Sequence, residues 1–217
     1  DQPSDDTIRY YIQHQDHNIR FVAANKVIGI NSGYIGWRSP GGPVRSTLML
    51  EFLKHEDPRV RRAMWMAIQT RTDVVDEAIF NLAIEAIRNP DEAWSVKDPA
   101  LQVVGSVPAD WIIPHIDLLL EYLRHEDWWL QNAALIALTP VVADARVYER
   151  VLPAVGELVQ QNQRTALTAG LMPGMRSRIK AAGPEVHQLA SKTLRGAFTE
   201  FGGRMREPGG QDVSSTF

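Results

Sequence analysis

The sequence predicts an all-α fold, a solenoid of five or six helix hairpins, and three observations lead there. The first is Ile116–Leu138, IDLLLEYLRHEDWWLQNAALIAL. Ile116, Leu119, Leu120 and Leu123 keep the i, i+3, i+4, i+7 spacing that places four apolar side chains on one helical face. Arg124-His125-Glu126 interrupts that run, and after Asp127 the spacing resumes through Leu130, Ala133, Ala134, Ala137 and Leu138. The second is recurrence: in Thr47–Ile68, Leu53-Lys54-His55-Glu56-Asp57 matches Leu123-Arg124-His125-Glu126-Asp127 by identity or conservative exchange. The third is spacing. Asp16, Asp57, Asp98 and Asp127 lie 41, 41 and 29 residues apart, as in tandem helix pairs of roughly 35–45 residues with variable loops.

Taken in order, residues 1–6 read as a loose acidic segment, and Thr7–His14 as a short first helix. His14-Gln15-Asp16 repeats the His-x-Asp text, and a second helix is expected over Asn18–Ile30. Gly29–Pro43 (GINSGYIGWRSPGGP) is rich in helix breakers and reads as an irregular loop carrying Tyr34, Trp37 and Arg38. Val44–Lys54 and Pro58–Gln69 form the next hairpin, with Asp57 as N-cap and Pro58 at the first helical position, where a missing N–H costs nothing. A third first helix starts near Thr72-Asp73, with Ile79, Leu82, Ala83, Ala86 and Ile87 on its apolar face. After a connector, Asn89–Lys97, Asp98-Pro99 restarts the motif to open Pro99–Gly105. Pro108-Ala109-Asp110 leads into the fourth pair. The fifth is Asp144–Gln161 with Arg164–Leu171, Asn162 standing in for the capping Asp. Arg176–Ala182 and Pro184–Phe201 close the array, which spans 7–201. Residues 202–217 read as a Gly/Pro/Ser-rich tail or a linker to a further domain. With Asp1 in place of an initiator Met, a piece of a longer protein is expected.

Composition narrows the function classes. The 217 residues are 44% hydrophobic and 23% charged, and 23 Lys+Arg against 26 Asp+Glu leave a net charge of −3, which argues against a general pull toward nucleic acid. The absence of cysteine removes disulfides, thiolate nucleophiles and Cys-based zinc sites. No apolar run of about 18 residues is available to span a membrane. Ser, His and Asp are scattered without a nucleophile elbow or paired-carboxylate spacing, so no enzyme activity is expected, and no cofactor.

The Asp-Pro-x-Val-Arg of Asp57–Arg61, the Asp-x-x-Ile-Arg of Asp16–Arg20 and the degenerate forms Asp98–Gln102 and Asp127–Gln131 resemble the HEAT-repeat family and its shorter bacterial HEAT-like relatives. The resemblance covers residues 7–172 and, more weakly, 176–201. It implies a right-handed α–α solenoid whose curved surface serves protein partners, with enzymes rare. It also implies that Asp16, Arg20, Asp57, Arg61, Asp98 and Asp127 are structural, as caps and as an Asp–Arg ladder along the stack. Gln102 and Gln131 replace the Arg and interrupt such a ladder. The string Trp129–Ala134 is similar to a stretch of HEAT-like alkyl-base DNA glycosylases, which implies, as an alternative, a nucleic-acid-binding surface. A second alternative is a structural spacer packed against another domain of the same chain.

Several candidate sites stand out. His14/Asp16, His55/Asp57 and His125/Asp127 look like metal-ligand text. Helices packed roughly 8–10 Å apart cannot bring such histidines to one ion. The plain reading is that each His closes a first helix, where partial positive charge suits the C-terminal dipole, and each Asp caps the second, so no metal site is expected. Trp128-Trp129 opens a second helix, where one indole packs on its neighbour and the other is part-exposed, in the core or as a partner anchor. On the Val60/Ala63/Met64/Ala67 register, Arg59 and Arg62 point away from the buried face, toward solvent or an acidic partner. With Gln131, Trp37 and Arg38 these are the candidate partner-binding residues. Pro40-Gly41-Gly42-Pro43 could offer free amides to an anion or simply connect two helices.

Overall fold

The computed structural model describes residues 2–32, 38–40, 42–161 and 172–202, and by contacts the chain divides into two compact units, Asp1–Ser106 and Val107–Phe217. Among the described residues it is helical apart from one short two-stranded ribbon. No described helix is long and apolar enough to cross a membrane.

In the first unit, α1 (Asp5–Ile12) pairs with α2 (His17–Val27), α3 (Ser46–Leu53) with α4 (Pro58–Ile68), and α5 (Glu77–Arg88) with α6 (Trp94–Val104). The second helices also pack in succession, α2 on α4 and α4 on α6. Their contact faces carry the residues of the expected register: Val60, Ala63, Met64 and Ala67 of α4 are all at most 5% exposed. Small residues at two of these positions let helix axes approach, and each fully buried larger side chain contributes roughly 1.5–3 kcal/mol.

Four local readings are corrected. α1 begins at Asp5, inside the segment expected to be loose, because Ser4 Oγ accepts the Thr7 N–H and two acidic residues fill the first turn. α2 stops at Val27, three residues short of Ile30. Gly29 adopts φ +69°, where any Cβ would lie 2.1 Å from the Gly42 carbonyl oxygen, and β1 (Ile30–Ser32) pairs antiparallel with β2 (Arg38–Pro40). The ends of that segment are tied down by Gly42 N–H to Gly29 O (3.0 Å), Arg45 N–H to Val27 O (2.8 Å) and Arg71 Nη1 to Ile28 O (2.6 Å). α6 starts at Trp94, a full turn before Asp98-Pro99, so Asp98 is not a cap: it sits inside the helix and its Oδ1 accepts from Gln102 Nε2 at 2.9 Å. Finally, the third first helix starts at Glu77 with Asp76 as its cap, Thr72–Val74 being a separate 3-10 turn.

In the second unit, α7 (Ala109–Ile112) and a 3-10 turn lead into α8 (Ile116–Leu123), which packs on α9 (Trp128–Leu138). α10 (Tyr148–Gln161) packs on α8 and on α12 (Pro184–Gly202), and α11 (Met172–Ala181) on α12. Gly156 lets α10 approach closely, since a Cβ there would come within 3.0 Å of the Thr193 carbonyl. The first helices are stitched pairwise by charge. Arg9 forks onto Glu51 between α1 and α3 at 2.9 Å on both arms, while Arg150–Asp117 and Arg124–Glu157 bridge α8 and α10. Arg164–Leu171 and Asn162 of the expected fifth pair, and residues 203–217, lie outside the described residues.

Candidate functional site

Three turns share one design. At His14–Arg20, His55–Arg61 and His125–Gln131 the Asp N–H donates to Nδ1 of the His two residues back, at 3.0, 3.0 and 2.9 Å. The Asp Oδ1 accepts the N–H two residues on, of Asn18, Arg59 and Trp129, at 2.8, 2.8 and 2.9 Å, filling one donor that a helix start leaves open. The residue four beyond the Asp then reaches back. Arg20 Nη1 donates to His14 O and Gln15 O (2.6 and 2.7 Å), Arg61 Nη1 to His55 O and Glu56 O, and Gln131 Nε2 to His125 O (2.6 Å). The expected role of each His as a positive group at a helix end is therefore corrected. Its Nδ1 lone pair is an acceptor, because the Asp N–H has left the first helix and needs a partner.

Between the first two motifs, among the described residues, neither Arg20 nor Arg61 bonds the Asp of the other turn. Asp57 instead takes a fork from Arg59 in its own turn, with Nη2 to Oδ2 at 2.7 Å. That fork, with the Arg59 N–H, holds the Asp57 carboxyl below the usual carboxylate range and raises the Arg59 guanidinium. Asp16 is lowered by the Asn18 N–H. The cross-pair link comes from Arg61, whose Nε and Nη2 fork onto Glu92, just ahead of α6, at 2.8 and 2.6 Å.

The first turns of α2 and the flank of α4 from Arg59 to Met66 together form a cleft of about 240 Å3. His17, Asn18, Arg20 and Phe21 line it from α2, and Arg59, Arg62, Ala63 and Met66 from α4. Arg59 lies at its exposed rim. Arg62 is half-buried and has no hydrogen-bond or ion-pair partner among the described residues. Arg20 is 7% exposed, and its Nε is buried without a partner. Of the sequence candidates, Arg59 and Arg62 come together here. Arg20, assigned to structure alone, and His17, Phe21 and Met66 were missed. The signal for Arg20 lay in its alignment with Arg61, where only Arg61 has a carboxylate such as Glu92 waiting one helix further on.

The remaining candidates are elsewhere. Trp128 and Trp129 stack on each other, ring centroids 3.9 Å apart, and are 39% and 44% exposed. Both indoles are thus part-exposed, while Leu130, Ala133, Ala134, Ala137 and Leu138 of the same helix are buried. Gln131 is engaged with the His125 carbonyl. Trp37 lies outside the described residues, and Arg38 is described only as part of β2. A second surface feature is an apolar groove along α1 and α2, between Ile8, Tyr11, Ile19 and Val22. Val22 is 44% exposed, whereas its counterparts Ala63 and Ala133 are 5% and 0% exposed. Among the described residues, no group of three or more His, Asp or Glu side chains could hold a metal ion.

No protein-family model and no curated protein matches the chain. Among solved structures it is similar to crystal structures of two engineered proteins. One has a TM-score of 0.46 at 14% identity, covering 90% of this chain and 96% of the other. The second has a TM-score of 0.44 at 14% identity, covering 91% and 61%. Likeness at that level leaves function to be read from the chain's own residues.

Proposed function

We propose that the chain is a non-enzymatic protein-binding or scaffolding module. Its helix pairs are arranged as a right-handed, HEAT-like α–α solenoid, and the exposed starts of its second helices meet the partner. One observation supports this most. In α2, α4 and α9 the residues that make the turn stay the same or nearly so, while the exposed positions beside them change completely. One and two residues after the Asp these are His17 and Asn18, Pro58 and Arg59, and Trp128 and Trp129; five after it, half-buried, stand Phe21, Arg62 and Asn132. Charge, aromatic area and amide groups thus vary on a constant frame, which is how a rigid surface acquires specificity without ordering cost. Arg and Trp are also the side chains that dominate protein interfaces.

The apolar groove along α1 and α2 favours a second reading, a spacer that packs against another helical segment of a longer chain.

The test is affinity capture from an extract with the full 217-residue chain as bait, with and without nuclease. Recovery of one defined protein, resistant to nuclease and lost with Arg62→Glu at unchanged Tm, is the expected result. Recovery that disappears with nuclease would replace this reading with a nucleic-acid one.

A further inference from the structure

We propose that the cleft between α2 and α4 is a carboxylate site, receiving an acidic side chain of the partner on the free edge of Arg20 with Arg62 beside it. The proposal rests on the protein-binding reading and gives that surface its chemistry.

The chain contains its own template for the bound state. Arg61 spends Nη1 on two turn carbonyls and offers its other edge, Nε and Nη2, to the carboxylate of Glu92 at 2.8 and 2.6 Å. Arg20, at the same place in the preceding turn, spends Nη1 on the same two carbonyls. Its Nε has no partner, although the side chain is as deep as that of Arg61 or deeper. Glu92 enters from the start of the adjacent second helix, α6. The corresponding gap for Arg20 lies between α2 and α4, and that gap is the cleft. A guanidinium withdrawn from water with an unfilled donor is unfavourable, and a bidentate carboxylate is the group whose shape fits that edge.

The rest of the lining fits an acidic side chain better than an inorganic anion. Arg62 contributes a charge not committed elsewhere among the described residues, whereas the fork of Arg59 is occupied by Asp57 and adds only its field. Phe21, Ala63 and Met66 supply an apolar wall for the methylene stem of a glutamate. At about 240 Å3 the cleft is smaller than the roughly 300–1,000 Å3 typical of small-molecule pockets, in keeping with one side chain of a larger partner.

The experiment follows the arginine Nε–Hε resonances of the full chain during titration with a short glutamate-rich peptide, its glutamine counterpart, and inorganic phosphate. The Arg20 resonance should move with the glutamate peptide alone. Arg62→Glu and Arg20→Gln should each weaken that binding about tenfold or more. Glutamine is the informative replacement, because Gln131 makes the same turn bond in the third motif while lacking the second edge. Arg62→Glu removes no bond within the described fold, so it tests the site even where Arg20→Gln loses stability. Equal response to the glutamine peptide, or full competition by phosphate, would overturn the carboxylate assignment. Capture of a defined partner with equal strength by wild type and Arg20→Gln would overturn the site and leave the protein-binding reading standing. Failure of both peptide binding and capture would remove both.

Discussion

The α3–α4 and α5–α6 pairs occupy neighbouring places in the first unit and solve the same problem, starting a second helix, in opposite ways. α4 is started from within: His55, Asp57, Arg59 and Arg61 satisfy one another and the turn carbonyls across seven residues. α6 has no side-chain cap at Ala93. Its start is held through Glu92, whose Oε1 accepts both the Ala93 N–H at 2.9 Å and Arg61 Nη2 at 2.6 Å. A local turn signal is therefore replaced by a bond to the previous pair. A motif that is self-sufficient can be repeated, and one that leans on its neighbour cannot.

The largest effect should come from cutting that dependence. Arg61→Met keeps the apolar stem but leaves Glu92, whose side chain is only 6% exposed, without its cation. Breaking a buried pair from one side costs about 3–5 kcal/mol, so denaturant unfolding at neutral pH should show a loss of that order. Arg20→Met removes only hydrogen bonds to carbonyls, and the loss should be about 1–2 kcal/mol. Adding Glu92→Met to Arg61→Met should restore part of the stability. Equal losses at Arg20 and Arg61 would break the distinction between the two starts.

The same contrast explains what could be read from the sequence. The helices of the first two pairs and of α8–α9 were legible because period, cap and turn agree: Asp57 before Pro58, and Asp127 before the Leu130/Ala133/Ala134 face. The third pair misled because Asp98-Pro99 imitates the motif text. What decides the start of α6 is a long-range bond from Arg61, and no window of sequence contains both partners. The candidate site was half legible for the same reason. Arg59 and Arg62 reveal themselves by their register on one helix. Arg20 looks identical to a structural arginine until the carboxylate that Arg61 has, and it lacks, is placed in space.

A smaller effect separates the two aspartates. Asp57→Ala removes the bond to the Arg59 N–H and the partner of its guanidinium, and loss of such a cap costs about 0.5–2 kcal/mol. Asp127→Ala removes the bond to the Trp129 N–H without any arginine fork, so its loss should fall at the lower end of that range. The measured order should be Asp57 above Asp127; equal losses would mean that the Arg59 fork adds nothing to the cap.

The smallest effect, and the most specific to the self-contained turn, is its response to acid. The Arg59 fork and N–H hold the Asp57 carboxyl below its ordinary range in the folded chain. An unfolded Asp titrates near about 3.9, so between that value and the lower folded one the unfolded chain binds the extra proton. Stability from this carboxylate is thus fully present above the unfolded value, and is lost as pH falls through the folded one. Asp16, lowered by the Asn18 N–H, acts in the same direction at the start of α2. Hydrogen exchange corrected for intrinsic rates should show the N–H groups of Asn18 and Arg59 losing protection together as the solution is acidified. With Asp57→Asn, whose amide oxygen can still accept the Arg59 N–H but cannot titrate, the response at Arg59 should vanish while that at Asn18 persists. If acid opened both turns equally in that variant, the carboxylate of Asp57 would not be what ties the start of α4 to pH.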